Sequence, residues 1–485
     1  MNVLILCSDT FRYDHLGYLK RQQVYTPNLN SFASESATFS DFWLSSFPTL
    51  VNRIDVFTGR FAFPFYKWGP LPREYPVLSE IFTRHGFATA MFADNFNFFR
   101  RGHDYERGFA HSRRIRGQCH DPILPRSAPM ADLPCPADRM GLPQDRLERY
   151  RRNARMFQEQ GRNSPAQLFG SVIDWFQDPP NKFFVWIDAF DPHEPWDAPK
   201  DFQRHYPHDP NGTVIPWPKG GPASEYSPAE LLNMRNLYKA EATEIDFWFG
   251  KLLDVLRNKG LLENTAVIFC SDHGFYFGEH NLIGKPVRMA KRTAIYEELG
   301  HIPLVIRHPK GLSAGRAISG LAQPLDLFPT ALELAGIPRV PWTQGHSLVP
   351  RLEGAPSPQQ FAVSGYHPHR GRASCITVTT KDWALMHSPT PDLQPSELYH
   401  MPTDPLHTRN VVHDNPDAVR ELFGLVDHWL DDLGVPASRK RQLLHNAPFT
   451  LWHKLAYKCW VTSNRVSYWK NYRRYARPTG KPAAR

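Results

Sequence analysis

The sequence predicts an open α/β fold, and three observations carry the prediction. The first is a set of five short apolar runs: VLILCSDT (3–10), TAMFADN (89–95), FFVWIDAF (183–190), AVIFCSDHG (266–274) and IPLVIRHP (302–309). They lack polar alternation, the pattern of strands covered on both faces as in a parallel sheet. The second is the helix-like segments between them. EYPVLSEIFTRHG (74–86) precedes the second run, and the long stretch 231–260 precedes the fourth, with Gly260 placed to end it. Strand–helix alternation of this kind builds a sheet between helices. The third is that three of the runs finish on carboxylates, Asp9, Asp188 and Asp272. Ligands of open α/β sheets bind beyond the carboxyl ends of the strands.

Composition narrows the function classes. The net charge of +9 is local, because nine Lys or Arg and no acid lie in 449–485, leaving the rest formally neutral. The body therefore carries no charge signature of nucleic-acid binding. The six cysteines, Cys7, Cys119, Cys135, Cys270, Cys375 and Cys459, form no CxxC pair and suggest neither a disulfide framework nor a zinc knuckle. The opening apolar run is too short for a signal peptide, and no stretch reaches the length of a membrane span, so the expectation is a cytoplasmic protein. No internal repeat and no GxxxxGK[ST] loop occur.

The acids at the strand ends admit two readings. They start turns or cap helices, or they converge on a cation. In SDHG the adjacent Asp272 and His273, with Asp9 on another strand, suit a divalent ion such as Mg, Mn, Ca or Zn.

Six landmarks in order then resemble the sulfatase branch of the alkaline phosphatase superfamily: SDTFRYDHLGY (8–18), RIDVFTGR (53–60), FDPHEPW (190–196), SDHGFYFGEHNLIGK (271–285), LDLFPTALELAGIP (325–338) and ELYHMPTDP (397–405). The resemblance implies an alkaline-phosphatase-like fold, a large, mostly parallel sheet between helices with a smaller C-terminal α+β subdomain. It implies a catalytic domain over 1–354 and a subdomain over 355–448, followed by a basic, aromatic tail over 449–485. In the subdomain, CITVTTKDWALMHS (375–388) reads as strands and DAVRELFGLVDHWLDDLG (417–434) as an amphipathic helix.

Carried over by position, Asp9, Asp272 and His273 resemble metal ligands, and Thr10 stands where a second acid is usual. Arg53 resembles the arginine supporting nucleophile and metal, His193 the histidine at the anion or leaving group, and Lys285 the lysine on the ester oxygens. Arg53 and Thr58-Gly59 set the register of the nucleophile loop and place Thr49 at the attacking position, with Val51 where a proline is usual. Ser45 and Ser46 fail that spacing. Thr49 also suits a helix N-cap, Lys285 a solvated surface and His193 a structural role beside its prolines.

Family members convert Cys or Ser to formylglycine. A threonine lacks the primary carbon for that conversion, so none is expected here. A metal-bound alkoxide of Thr49 would attack instead. Because a sulfated threonine has no hydrate collapse to release it, the expected substrates are phosphate mono- or diesters or phosphonate esters. A sulfate ester hydrolase, a phosphoryl-type transferase and an inactive binding homologue stand as alternatives.

Asp188, His367 and His369 are candidates for a second metal or for substrate contact. The stretch IRGQCHDP (115–122), with arginines nearby, is a candidate wall of an anion pocket or a plain surface excursion. The tail, from LWHKLAYKCWVT (451–462) onward, reads as contact with an anionic membrane or glycan surface, or as a docked terminal helix.

Overall fold

The structure is a computed structural model that describes residues 1–285, 294–367, 375–390 and 395–445. The readings of His369 and of the tail from Phe449 lie outside the described residues. Its strands, in chain order, are β1 (Asn2–Ser8), β2 (Ala37–Phe39), β3 (Ser46–Phe47), β4 (Ala88–Ala93), β5 (His111–Arg114), β6 (Phe183–Ala189), β7 (Gly221–Pro222), β8 (Thr265–Ser271), β9 (Tyr276–Phe277), β10 (Leu282–Gly284), β11 (Leu304–Arg307), β12 (Ala317–Ile318), β13 (Phe361–Tyr366), β14 (Ile376–Thr380), β15 (Trp383–His387) and β16 (Glu397–His400).

The main sheet has eight strands in the order β12-β2-β11-β8-β1-β6-β4-β5. All five apolar runs lie in it. Every residue of β1, β6 and β8 is buried, which is why those runs show no polar alternation. From β8 across to β5 the neighbours run parallel. The fifth run departs from the parallel reading, because β11 pairs antiparallel with both β8 and β2. The sheet is therefore mixed but mostly parallel, the alkaline-phosphatase-like α/β architecture that the landmarks imply.

Helices cover both faces. The long helix Pro228–Asn258 packs on one face through Ile245, Phe249 and Leu252 against Leu4, Leu6 and Val267. It opens with a Ser227–Glu230 capping box and is followed by Gly260 in the left-handed region at φ 67°. On the other face, all ten residues of the helix Thr49–Thr58 are buried. Leu50, Ile54 and Phe57 join Val3, Ile5 and Cys7 of β1 and Trp186 of β6 there. The helix ends at Gly59, whose φ is 69° and whose missing Cβ would fall 2.8 Å from the Phe328 ring, so no other residue fits.

A second sheet of five strands has the order β16-β15-β14-β13-β3. Its edge is β3, which pairs parallel with β13 through Ser46↔Gly365 and Phe47↔Tyr366. The residues just before Thr49 are thus held by a strand from the far end of the chain. The helix Pro416–Asp432 places Trp429 against Phe61 and Phe63, just beyond the same loop.

Candidate active site

The register of the central strands assembles the site. Ser8 of β1 lies opposite Ser271 of β8, so the residues that follow them, Asp9 and Asp272, leave the sheet side by side. His273 comes next in the chain. One carboxylate oxygen from each acid and a ring nitrogen of His273 lie within 4.8 Å of one another, and all three residues are buried.

Hydrogen bonds fix each group. Asp272 Oδ1 accepts from Thr10 N at 3.0 Å and His273 N at 2.8 Å. His273 Nδ1 bonds the Gly274 carbonyl at 3.0 Å, which places the proton on Nδ1 and leaves the Nε2 lone pair for the cluster. Burial lowers His273 to about 4, so the ring is neutral at pH 7. Burial and then Asp272 raise Asp9 well above the usual carboxylate range. Burial would raise Asp272 as well, but His273 and Arg53 outweigh it and hold that group at about 2.

Thr49 is the first residue of the helix Thr49–Thr58, and its hydroxyl faces this cluster. Thr49 Oγ1 donates to Asp9 Oδ2 at 3.2 Å and lies 3.3 Å from His273 Nε2. One turn along, Arg53 is fully buried. Its Nε and Nη2 reach Asp188 at 2.6 and 3.0 Å, and its Nη1 lies 3.3 Å from Asp272 Oδ2. Arg53 therefore braces the acids from beneath instead of facing a substrate.

The residues fit a divalent cation. Two carboxylates, a neutral imidazole and a hydroxyl converge. Buried Asp272 Oδ2 has Arg53 Nη1 at 3.3 Å but accepts no hydrogen bond, so it keeps a lone pair for an oxygen-seeking ion.

Of the candidates for a second metal or substrate contact, Asp188 and His367 have other partners. Asp188 pairs with Cys7, two residues short of Asp9 in the register, and both its oxygens are taken by Arg53. His367 Nε2 contacts Arg439 Nη2 instead.

Ser45 and Ser46 have a different task from attack. Both hydroxyls donate to Asp55, with Ser46 at 2.8 Å, and Asp55 also accepts from Ala62 N at 2.7 Å. Lys285 Nζ donates to Thr10 Oγ1 at 3.0 Å and lies 3.0 Å from Glu194 Oε2. Glu194 Oε2 is also 3.4 Å from His193 Nδ1. Sequence reasoning gave Glu194 no role; its one signal is the step from His193 inside DPHEP.

A cavity of about 350 Å3 opens onto Asp9, Thr49 and His193. Its lining also includes Arg114, Arg116, Cys119, His120 and Asp121, so part of the 115–122 stretch borders the pocket. Arg146 and Arg149, from the helix Gln144–Gln160, line it as well and were not singled out from sequence.

Residues 1–337 match the Sulfatase family. The chain belongs to the sulfatase family. A second match, to the C-terminal region of N-sulphoglucosamine sulphohydrolase, covers residues 278–425. Arylsulfatase K of Bos taurus is 24% identical over 466 residues, 87% of this chain and 80% of that protein. Arylsulfatase K of Danio rerio is 29% identical over 224 residues, 45% of this chain but only 41% of that protein. Among solved structures, one in complex with its substrate D-glucosamine-2-N,6-O-disulfate superposes with a TM-score of 0.68 at 18% identity, covering 90% of this chain and 99% of that one. A phosphonate monoester hydrolase of Agrobacterium radiobacter also gives 0.68, at 20% identity, with coverages of 93% and 97%. At such identities the two superpositions speak for the fold alone.

These matches overturn two expectations. The family and the named relatives are sulfatases, so the phosphate or phosphonate ester reading does not stand. Sulfatase family membership also implies a formylglycine, against the expectation that none is needed. Yet the side chains as encoded do not fit that group. Thr49 faces the cluster, and the serines of the loop are bonded to Asp55.

Among the described residues, no helix is long and apolar enough to cross a membrane. The five described cysteines form no disulfide among the described residues.

Proposed function

We propose that the protein is a sulfuric ester hydrolase acting on sulfated sugars. The observation that carries this reading is the shared wall of one cavity. It brings Asp9 and Thr49 of the buried cation-type cluster together with His193, in a chain of the sulfatase family. Trp68, 40% exposed on the same cavity, adds an aromatic face on which a sugar ring can rest.

Asp9, Asp272, His273 and Thr49 would hold a divalent cation, which when bound would supply Lewis-acid charge toward the sulfate oxygens. Thr49 Oγ1, at the N-terminus of a helix whose dipole favours negative charge, lies beside the reacting sulfate and is held by Asp9 Oδ2 and His273 Nε2. Water attacks sulfur, and the new S–O bond forms as the bond to the sugar oxygen breaks, releasing sulfate and the sugar alcohol. His193, with Nδ1 tied to the Glu194 carbonyl, serves the leaving oxygen. Lys285 supplies positive charge beside the ester oxygens, while Arg53 positions Asp272 and Asp188.

The test is sulfate release by metal-reconstituted full-length protein from a panel of sulfated monosaccharides and aryl sulfates, with Thr49→Ala and His193→Ala alongside. The reading expects release that both substitutions cut by about a hundredfold or more. Full activity in Thr49→Ala removes that residue from the reacting site. No release from any sulfate ester removes the reading.

A further inference from the structure

The cavity lining holds two unlike groups of residues. One is Thr49, Asp9 and His193. The other is five arginines, Arg100, Arg114, Arg116, Arg146 and Arg149, against a single further acid, Asp121. That is more positive charge than one ester sulfate facing a cation needs.

The arginines come from three separate segments. Arg100 follows the loop after β4. Arg114 ends β5, with Arg116 just beyond it. Arg146 and Arg149 are one turn apart on the helix Gln144–Gln160 and so share a face. Asp121 accounts for only part of this charge. It grips Arg116 at 2.6 and 2.9 Å and sits 3.9 Å from Arg114. Arg149 has an i,i+4 contact of 3.3 Å with a largely exposed Asp145, a pair of little strength in water. Arg100 and Arg146 form no ion pair among the described residues, and both are exposed.

The guanidinium fork matches sulfate and carboxylate oxygens two at a time, and it stays charged at any working pH. Gathering several such groups around one cavity leaves a positive potential that an anion balances.

We propose that this arginine wall binds a second anionic group of the substrate, a sulfate or a carboxylate other than the one attacked, so that the protein selects multiply charged glycans. The proposal takes from the sulfatase reading only which group is cleaved. The preference for a second charge stands on the arginines.

Calorimetric binding to the full-length protein tests it, with a hexosamine disulfate, its two monosulfates, and a monosulfated disaccharide carrying a uronate. The disulfate should bind about tenfold tighter than either monosulfate, a modest return for one extra charge-assisted anion contact. The uronate compound distinguishes a carboxylate as the second group from a sulfate. The double substitution Arg146→Ala/Arg149→Ala should remove most of the advantage. Arg100→Ala, on a different segment, should reduce it independently, so misfolding of one variant does not decide the matter. Equal affinity for mono- and disulfate, or an advantage untouched in both variants, overturns the proposal. Charge-dependent binding without turnover of any sulfate would remove the sulfatase reading and leave the anion wall standing.

Discussion

Lys285 Nζ donates to Thr10 Oγ1 at 3.0 Å, and that hydroxyl in turn donates to Asp9 Oδ1 at 2.8 Å. The threonine thus occupies the place of a second acid and links the lysine to the cluster by hydrogen bonds. Its φ of 71° lies in the left-handed region, which aspartate tolerates better than a β-branched residue. Thr10→Asp should therefore fold, with Lys285 already in place to balance the new charge. We expect divalent-cation affinity to rise by roughly tenfold in a metal titration, as one more oxygen donor joins the set. Unchanged affinity would mean that Thr10 lies outside the ion's reach.

The pair Arg53–Asp188 has no solvent exposure at either side chain. Removing the cation strands Asp188 and Asp272 in a dry site, so Arg53→Met should cost about 3–5 kcal/mol in urea denaturation. Adding Asp188→Asn should recover part of that loss, because one stranded charge disappears. A single-variant cost near zero would show that the acids find other partners.

Ser46 distinguishes a structural from a chemical role. Its hydroxyl donates to Asp55 and accepts from Phe63 N at 3.0 Å. Ser46→Ala should lower stability by about 1–3 kcal/mol, the cost of leaving buried partners unsatisfied, while retaining measurable turnover. Complete loss of activity at unchanged stability would give Ser46 a chemical role instead.

Asp94 predicts a pH dependence. Burial raises its carboxyl to about 7, although Ser164 Oγ and Phe190 N bond it at 2.9 and 2.8 Å. The folded state therefore binds the proton more tightly than the unfolded chain. The resulting stabilisation is complete below the unfolded value near 4 and is lost as pH rises through about 7. Asp94→Asn, a neutral replacement of the same shape, should flatten the decline in stability between those limits. An unaltered slope would place its origin in other buried acids, such as Glu244, which burial also raises to about 7.

Much of the fold was legible because buried parallel strands write themselves as unbroken apolar runs, and Asp9 and Asp272 followed them directly. The direction of β11 was not, since LVIR reads the same either way along the sheet. Asp188 misled because a strand-terminal acid shows its type but not its register, and two residues separate a metal ligand from a partner of Arg53. The arginine wall was half visible in 113–116. Arg146 and Arg149 were not, because on a helix as polar as QDRLERYRRNARMFQEQ a functional charge and a solvated one look alike. The link from Ser46–Phe47 to Gly365–Tyr366 spans most of the chain and leaves no local trace.

The central claim is that the Asp9–Asp272–His273 cluster is the hydrolytic centre for sulfate esters. Its most direct test is inorganic sulfate released from a sulfated hexosamine by the metal-reconstituted protein and by Asp272→Asn. The account predicts release by the first and a loss of about a thousandfold or more in the second, at retained fold. Equal release by both, or none by either under any divalent metal, would contradict it.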